Sequence, residues 1–299
     1  MAHSRKVPSV LLSGPFRGSE VCRAGLLTRD QLRNRRWRRL LTDVYVSADL
    51  PDTPELRLRA VRLAAPPGAV ASGATAAWLY GADVRWPDEP LEITLPRGTA
   101  FRPRPGLSVR RAELLPEDVT EHRGLLVTTP IRTGLDLARL RGPVRDVTEA
   151  VVAVDALTRL DLFTPDDLAE YAGRKRFFRW RGIQRALTVA EHADPRSESP
   201  GESRLRMRIV RGGLPRPEAQ YRLFDPHGRH VARLDLAYPD RRVGVEYDGE
   251  VHRDRWRADA ARRNAVQSLG WDLYTYTALD LRPGGTTVLT QLRRRLLPP

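Results

Sequence analysis

The chain has 299 residues, 51 Lys and Arg against 37 Asp and Glu, a formal charge of +14, and a hydrophobic fraction of 41%. The length fits two or three domains, the apolar content excludes a disordered chain, and a single cysteine, Cys22, excludes an internal disulfide framework. No apolar run is long enough to span a membrane, and Val7 to Leu12 is too short for a signal peptide, so a cytoplasmic protein without membrane contact is expected.

Most of the positive charge is arginine, whose planar fork matches phosphate oxygens and guanine edges. Nucleic acid is the first partner this suggests; surface solubilisation by arginine is the plain alternative. Cys22 reads as a core residue rather than a nucleophile.

Residues 1–50 read as a short helix, a turn, a second helix capped by Thr28, a basic helix from Arg33 to Leu41 and a strand ending at Val46. That is the order of a winged helix-turn-helix, and Arg33, Arg35, Arg36, Arg38 and Arg39 are its candidate DNA contacts. An amphipathic helix with a solvated basic face is the competing interpretation.

Residues 51–194 read as an α+β middle domain. Helices are expected over Thr53–Ala65, Ala69–Tyr80, Ile131–Leu140 and Val144–Leu160, with strands at Leu91–Leu95, Leu107–Arg110 and Leu125–Thr128. Thr164 followed by Pro165 marks another helix start. Glu117, Asp118, Glu121 and His122 fall in loop-like sequence without ligand spacing. Lys175 to Arg181 alternates cations with Phe177, Phe178 and Trp180, either a basic surface that stacks on bases or a helix with buried aromatics. Asp194 to Ser199 looks like a linker or the start of the last domain.

Residues 195–299 carry the chemistry. Ser199, Pro200 and Glu202 open a helix in which Glu202 fits a capping box and also lies where it could serve a metal site. Three strands follow, Ala219–Phe224, Val231–Ala237 and Val243–Asp248, then a helix over Arg253–Leu269, a strand over Trp271–Tyr276 and a last helix over Thr286–Leu297. With a period of two, Val243, Val245 and Tyr247 share one face, and Gly244, Glu246 and Asp248 the other. A hairpin of this length brings Asp235 beside Glu246 and Asp248. Acids so grouped repel unless a cation such as Mg2+ joins them. His252 follows the strand as a candidate proton acceptor, or as a histidine bonded to backbone. Arg253 and Arg257 lie on the next helix as further DNA contacts.

This helix, three strands, helix, strand and helix, with Arg233-Leu234-Asp235-Leu236-Ala237, Val245-Glu246-Tyr247-Asp248-Gly249 and His252, resembles the PD-(D/E)XK nuclease superfamily in its very-short-patch-repair-like branch. The resemblance implies a restriction-endonuclease-like domain using Mg2+ or Mn2+, with Asp235 and Glu246 as metal ligands. Glu202, Asp248 and His252 would complete the catalytic site. Asp248 stands where the general pattern has lysine, a departure that removes the positive charge.

The front of the chain, Gly25-Leu26-Leu27-Thr28, Gln31-Leu32 and Asp43-Val44-Tyr45-Val46, resembles the winged helix of AbiEi-type antitoxins. Ser72-Gly73-Ala74-Thr75-Ala76-Ala77 and Thr128-Thr129-Pro130-Ile131-Arg132-Thr133 continue that likeness. Gly commonly precedes the Val-Tyr pair, where this chain has Asp43. The expected class is therefore mixed α/β: winged helix, α+β middle domain and α-β-β-β-α-β nuclease-like domain. The expected function is a metal-dependent endonuclease acting on DNA; the alternative is an AbiEi-like regulator or antitoxin with a toxin partner and a degenerate nuclease fold.

Overall fold

The computed structural model describes residues 8–82, 84, 89–102, 106–139, 146–249 and 256–297, without the side chains of residues 54, 55, 58 and 256–259. The chain is mixed α and β, and it separates into two compact units, Met1–Asp136 and Leu137–Pro299.

The first unit opens with α1 (Ser9–Leu12), β1 (Phe16–Arg17), α2 (Gly18–Arg23), α3 (Arg29–Leu32), β2 (Trp37–Leu41) and β3 (Val44–Ser47). The strands form an antiparallel sheet in the order β1-β3-β2. Thr28 caps α3 as expected, in a complete capping box with Gln31. The basic helix expected over Arg33–Leu41 does not form: α3 ends at Leu32, and Trp37–Leu41 is a strand. Trp37 and Leu41, both buried, are four residues apart, a spacing that serves a strand face as well as a helix face. The hairpin turn decides between them, because Asp43 adopts the left-handed region at φ 65°. Leu11, Phe16, Val21, Leu27, Leu32 and Trp37 make the core here, with Cys22 half-buried at its edge.

Next come α4 (Pro54–Ala64), β4 (Val70–Ala71), α5 (Gly73–Leu79), β5 (Leu91–Leu95), β6 (Leu107–Arg111), β7 (Val119–His122), β8 (Leu125–Thr128) and α6 (Pro130–Ala138). The five strands lie in the order β6-β5-β4-β8-β7. Leu41 and Val44 of the hairpin share a core with Ala60 and Val61 of α4 and with Leu91, Ile93 and Leu95. Two expectations fail. The single helix over Ala69–Tyr80 is split into β4 and α5. Between them Gly73 sits at φ 57°, and a Cβ there would lie 1.6 Å from Glu92 Oε2. The stretch read as a loop at Glu117–His122 is a 3-10 turn followed by β7. Its Asp118 is buried because Arg132 pairs with it at 2.8 Å, and His122 Nε2 lies 3.1 Å from the Leu79 carbonyl.

The second unit contains α7 (Val147–Thr158), α8 (Pro165–Ala172), α9 (Ile183–His192), α10 (Pro200–Arg211), β9 (Glu218–Phe224), β10 (His230–Tyr238), β11 (Val243–Asp248), α11 (Trp256–Ser268), β12 (Asp272–Thr277) and α12 (Thr287–Leu296). From α10 onward this is the element order read from the sequence. The sheet runs β12-β11-β10-β9, an antiparallel meander whose last member, β12, is parallel to β11. A parallel neighbour needs a crossover, which α11 supplies. Leu205 and Ile209 of α10 and Val288 and Leu292 of α12 cover one face, on Val243 and Val245. Val266 of α11 and Trp271 cover Leu234 and Ala237 on the other.

The polar stretch at Asp194–Ser199 is packed rather than a solvated linker. Asp194 is buried, its amide donates to Asp155 Oδ1 at 2.7 Å, and its carboxylate accepts from Arg196. Asp155 of α7 in turn pairs with Arg206 of α10, which ties the helical layer to the sheet.

Candidate functional site

Two constellations in the described residues carry chemistry, an acidic corner in the second unit and a basic turn in the first. The acidic corner is made by β10 and β11. Leu236 and Val245 are the last cross-strand pair of the β10–β11 ladder; Asp235 and Glu246 are the next residue on each strand, and Asp235 reaches across to the amide of Tyr247. The alternation of β10 slips at this point: Leu234 packs toward Val266 and Trp271, whereas Leu236 packs toward Leu205 and Val243. Across the ladder from the slip, Gln220 of β9 has φ 54°.

Asp235 Oδ2 accepts from the amide of Tyr247 at 2.9 Å. Burial pushes its carboxyl up to about 7; the Tyr247 amide opposes the shift, and the negative charges of Glu202 and Glu246 add to it. Glu246 accepts from both terminal nitrogens of Arg262 on α11, one at 2.9 Å. Arg262 is a site residue that strand periodicity does not reveal. It brings a cation to this corner. Asp248 is exposed at the end of β11.

Glu202 lies in the first turn of α10, where the Ser199 hydroxyl accepts from its amide at 3.1 Å. Its carboxylate does not close the expected box onto Ser199. It accepts instead from the amide of Glu198 at 2.9 Å and from Gln220 Nε2 at 2.8 Å, and it is 8% exposed. Gln220 Oε1 is buried without a hydrogen-bond partner, so this corner retains an unsatisfied acceptor. Gly201 is required beside it, since a Cβ would meet the Tyr247 ring at 1.9 Å. Among the described residues, no group of three or more His, Cys, Asp and Glu is placed to hold a metal ion. His252 and Arg253 lie outside the described residues, and for Arg257 only the backbone, in α11, is described.

The basic turn joins α3 to β2. Arg33, Arg35, Arg36 and Arg39 are exposed. Arg33 meets Asp30 at 3.3 Å in a pair open to solvent, worth little to stability. The Arg36 guanidinium lies 6.0 Å from the Trp37 ring. Arg38 differs from the others: it donates to the Leu50 carbonyl at 3.0 Å and pairs with Asp52 at 3.4 Å, so it fastens the hairpin to the segment before α4. Asp43 explains the departure from glycine noted above. It takes the glycine-like φ, and its carboxylate accepts from the Ser19 amide at 2.8 Å and the Ser19 hydroxyl at 2.5 Å, capping α2 from across the sheet. Among the described residues no helix is long and apolar enough to cross a membrane.

Residues 69–191 match the family model of the AbiEi antitoxin C-terminal domain. Two proteins of Mycobacterium tuberculosis, uncharacterized protein MT2308 (strain CDC 1551 / Oshkosh) and uncharacterized protein Rv2248 (strain ATCC 25618 / H37Rv), are each 31% identical over 271 residues, 86% of this chain and 92% of theirs. Among solved structures, the crystal structure of the RV2827C protein from Mycobacterium tuberculosis aligns with a TM-score of 0.38 and 17% identity, over 71% of this chain and 84% of that one. The chain therefore belongs to one family with the mycobacterial proteins MT2308 and Rv2248, and over residues 69–191 it matches the AbiEi antitoxin C-terminal domain.

Proposed function

We propose that the chain is a DNA-binding regulator of the antitoxin type. Its N-terminal winged helix would bind operator DNA, and its AbiEi-like region would meet a toxin protein encoded beside it. The observation that carries this reading is the AbiEi match over residues 69–191, preceded in the chain by helices and a hairpin, with Arg33, Arg35 and Arg36 exposed on the connection into the hairpin and Arg39 exposed on its first strand. Four guanidinium groups on one short segment suit phosphate contact, with affinity that falls as salt rises.

The test is fluorescence anisotropy on DNA from upstream of the protein's own gene, with unrelated DNA as control. Replacing Arg35, Arg36 and Arg39 together by Ala is expected to weaken binding more than tenfold and to flatten its salt dependence by about three phosphate contacts. Equal affinity for both DNAs, or an unaltered salt slope, removes the operator reading.

A second reading is supported by the acidic corner. Two carboxylates just past the last pair of the β10–β11 ladder, one of them pushed up to about 7 chiefly by burial, are side chains of the type that hold a divalent ion in hydrolytic sites. Asp235 and Glu246 would hold Mg2+ or Mn2+, which when bound would supply charge neutralisation at a phosphodiester and an acidified water. Glu202 would keep Gln220 and the strand slip in place, and Arg262 would orient Glu246. Nicking of supercoiled plasmid in Mg2+ or Mn2+, lost in both Asp235→Ala and Glu246→Ala with DNA binding retained, is the expected result if this reading is right. Intact plasmid with tight operator binding leaves a regulator whose nuclease-like sheet is degenerate.

A further inference from the structure

The segment between α8 and α9 is unlike the rest of the second unit. Residues 171–190 include Arg174, Lys175, Arg176, Arg179, Arg181 and Arg185 and no acidic residue. Four aromatics lie within this basic stretch, and three of them, Tyr171, Phe177 and Trp180, are used internally. Phe177 is fully buried between Tyr171 and Trp180, with ring centroids at 5.1 and 4.7 Å. Trp180 carries the Arg139 guanidinium over its ring at 4.5 Å. Phe178 is not used: it is 81% exposed, the most exposed large hydrophobic side chain among the described residues.

The loop is nevertheless held firmly. Arg139 donates twice to the Arg181 carbonyl, at 3.0 and 2.8 Å. Gly182 follows at φ 84°, with the Arg139 carbonyl 2.6 Å from where a Cβ would stand, so no other residue fits. A cleft of about 250 Å3 lined by Trp180, Arg181, Gln184 and Arg185 opens beside it. A fixed turn therefore presents one bare aromatic ring among cations. An apolar ring left in water without an apolar neighbour does not suit a protein core contact, and uninterrupted positive charge suits phosphate. An aromatic side chain reaches the face of a nucleobase only where that base is unpaired.

We propose that this turn binds single-stranded nucleic acid, with Phe178 stacking on an unpaired base and Lys175, Arg179 and Arg181 meeting the flanking phosphates. The site is separate from the operator-binding turn and does not depend on it. DNA and RNA share the chemistry it uses, so the test carries both. Anisotropy is measured on the full chain with labelled oligothymidylate, oligouridylate and a DNA duplex. Phe178→Ala is expected to weaken single-strand binding about tenfold, the usual scale for removing one base-stacking partner. Phe178→Trp should restore it, and duplex binding should be unchanged in both. The strand that binds more tightly identifies the source. Phe178 supports no core, so the variants should melt as the wild type does, and the Arg35, Arg36 and Arg39 replacements should leave single-strand binding intact. Unchanged single-strand affinity in Phe178→Ala, or a loss shared equally by the duplex, overturns the proposal.

Discussion

Asp155 and Asp235 are carboxylates drawn out of water within the same unit, and they differ in what surrounds them. Asp155, 1% exposed, receives the Arg206 guanidinium and the Ser203 hydroxyl on one oxygen at 2.5 and 2.6 Å, and the Asp194 amide on the other at 2.7 Å. Burial pushes it up, and each of those three partners pulls against that. Among the described residues Asp235 has one hydrogen-bond donor, the Tyr247 amide, while the charges of Glu202 and Glu246 add to burial and outweigh the pull of Arg262. A buried carboxylate saturated with donors binds helices together and has nothing left for chemistry. An undersupplied one keeps an unmet demand for a proton or a cation.

The largest effect comes from breaking the saturated site. Arg206 is fully buried, pairs with Asp155 and also donates to the His192 carbonyl. Arg206→Met leaves Asp155 charged, buried and short of its principal partner, a loss of about 3–5 kcal/mol. The check is the urea midpoint of unfolding. Asp155→Asn added to Arg206→Met should recover a large part of the loss, because it removes the stranded charge. A midpoint that barely moves in the single variant would mean that donor supply is not what separates the two aspartates.

Glu92 in the first unit is a control of the opposite kind, undersupplied and assigned no chemistry. It is 2% exposed, and Arg110, its ion-pair partner, stands 3.5 Å away. Burial pushes its carboxyl up to about 7; Arg110 and a hydrogen bond from the Ala74 amide pull it down, while Glu89 and Asp136 push it further up. The folded chain thus holds a proton that the unfolded chain has released between about pH 4.5 and 7. Stability therefore falls as pH rises through that window, and the loss is complete above it. Glu92→Gln removes the share of this dependence that Glu92 contributes, leaving that of Asp235. The variant should exceed the wild type by up to about 3 kcal/mol at pH 8, at roughly 1.4 kcal/mol per pKa unit, and match it near pH 4. Parallel pH profiles for the two proteins would show that a poorly compensated carboxylate costs this fold nothing, and the argument from Asp235 would lose its footing.

Local signals made the C-terminal sheet readable. The alternation in Val243–Asp248 places Glu246 apart from the core, the Asp225–Gly228 turn closes the first hairpin, and the Thr28 and Thr164 caps fall where a helix needs an acceptor. What stayed hidden depends on partners far along the chain. Arg262 reaches Glu246 only because a crossover returns the chain, Arg206 meets Asp155 across 51 positions, and Asp118 is buried by an arginine 14 residues on. The basic turn differs from the expected helix for another reason. Trp37 and Leu41 suit either period, and a non-glycine residue, Asp43, makes the left-handed turn that selects the strand.

Asp43 gives the smallest effect and separates donor count from burial as the source of the contrast between Asp155 and Asp235. Like Asp155 it is well supplied with donors, by the Ser19 amide and hydroxyl, but it is only half-buried. Asp43→Gly keeps the positive φ without strain and deletes the acceptor that caps α2. The expected cost is about 1 kcal/mol, the usual value of a helix cap, seen as a fall of about 3 °C in melting temperature. Asp43→Ala should cost more, because alanine also has to bear φ 65°. A glycine variant as damaged as Arg206→Met would make donor number decisive wherever the carboxylate sits. A loss confined to the cap value makes burial the factor that turns a missing partner into a large effect.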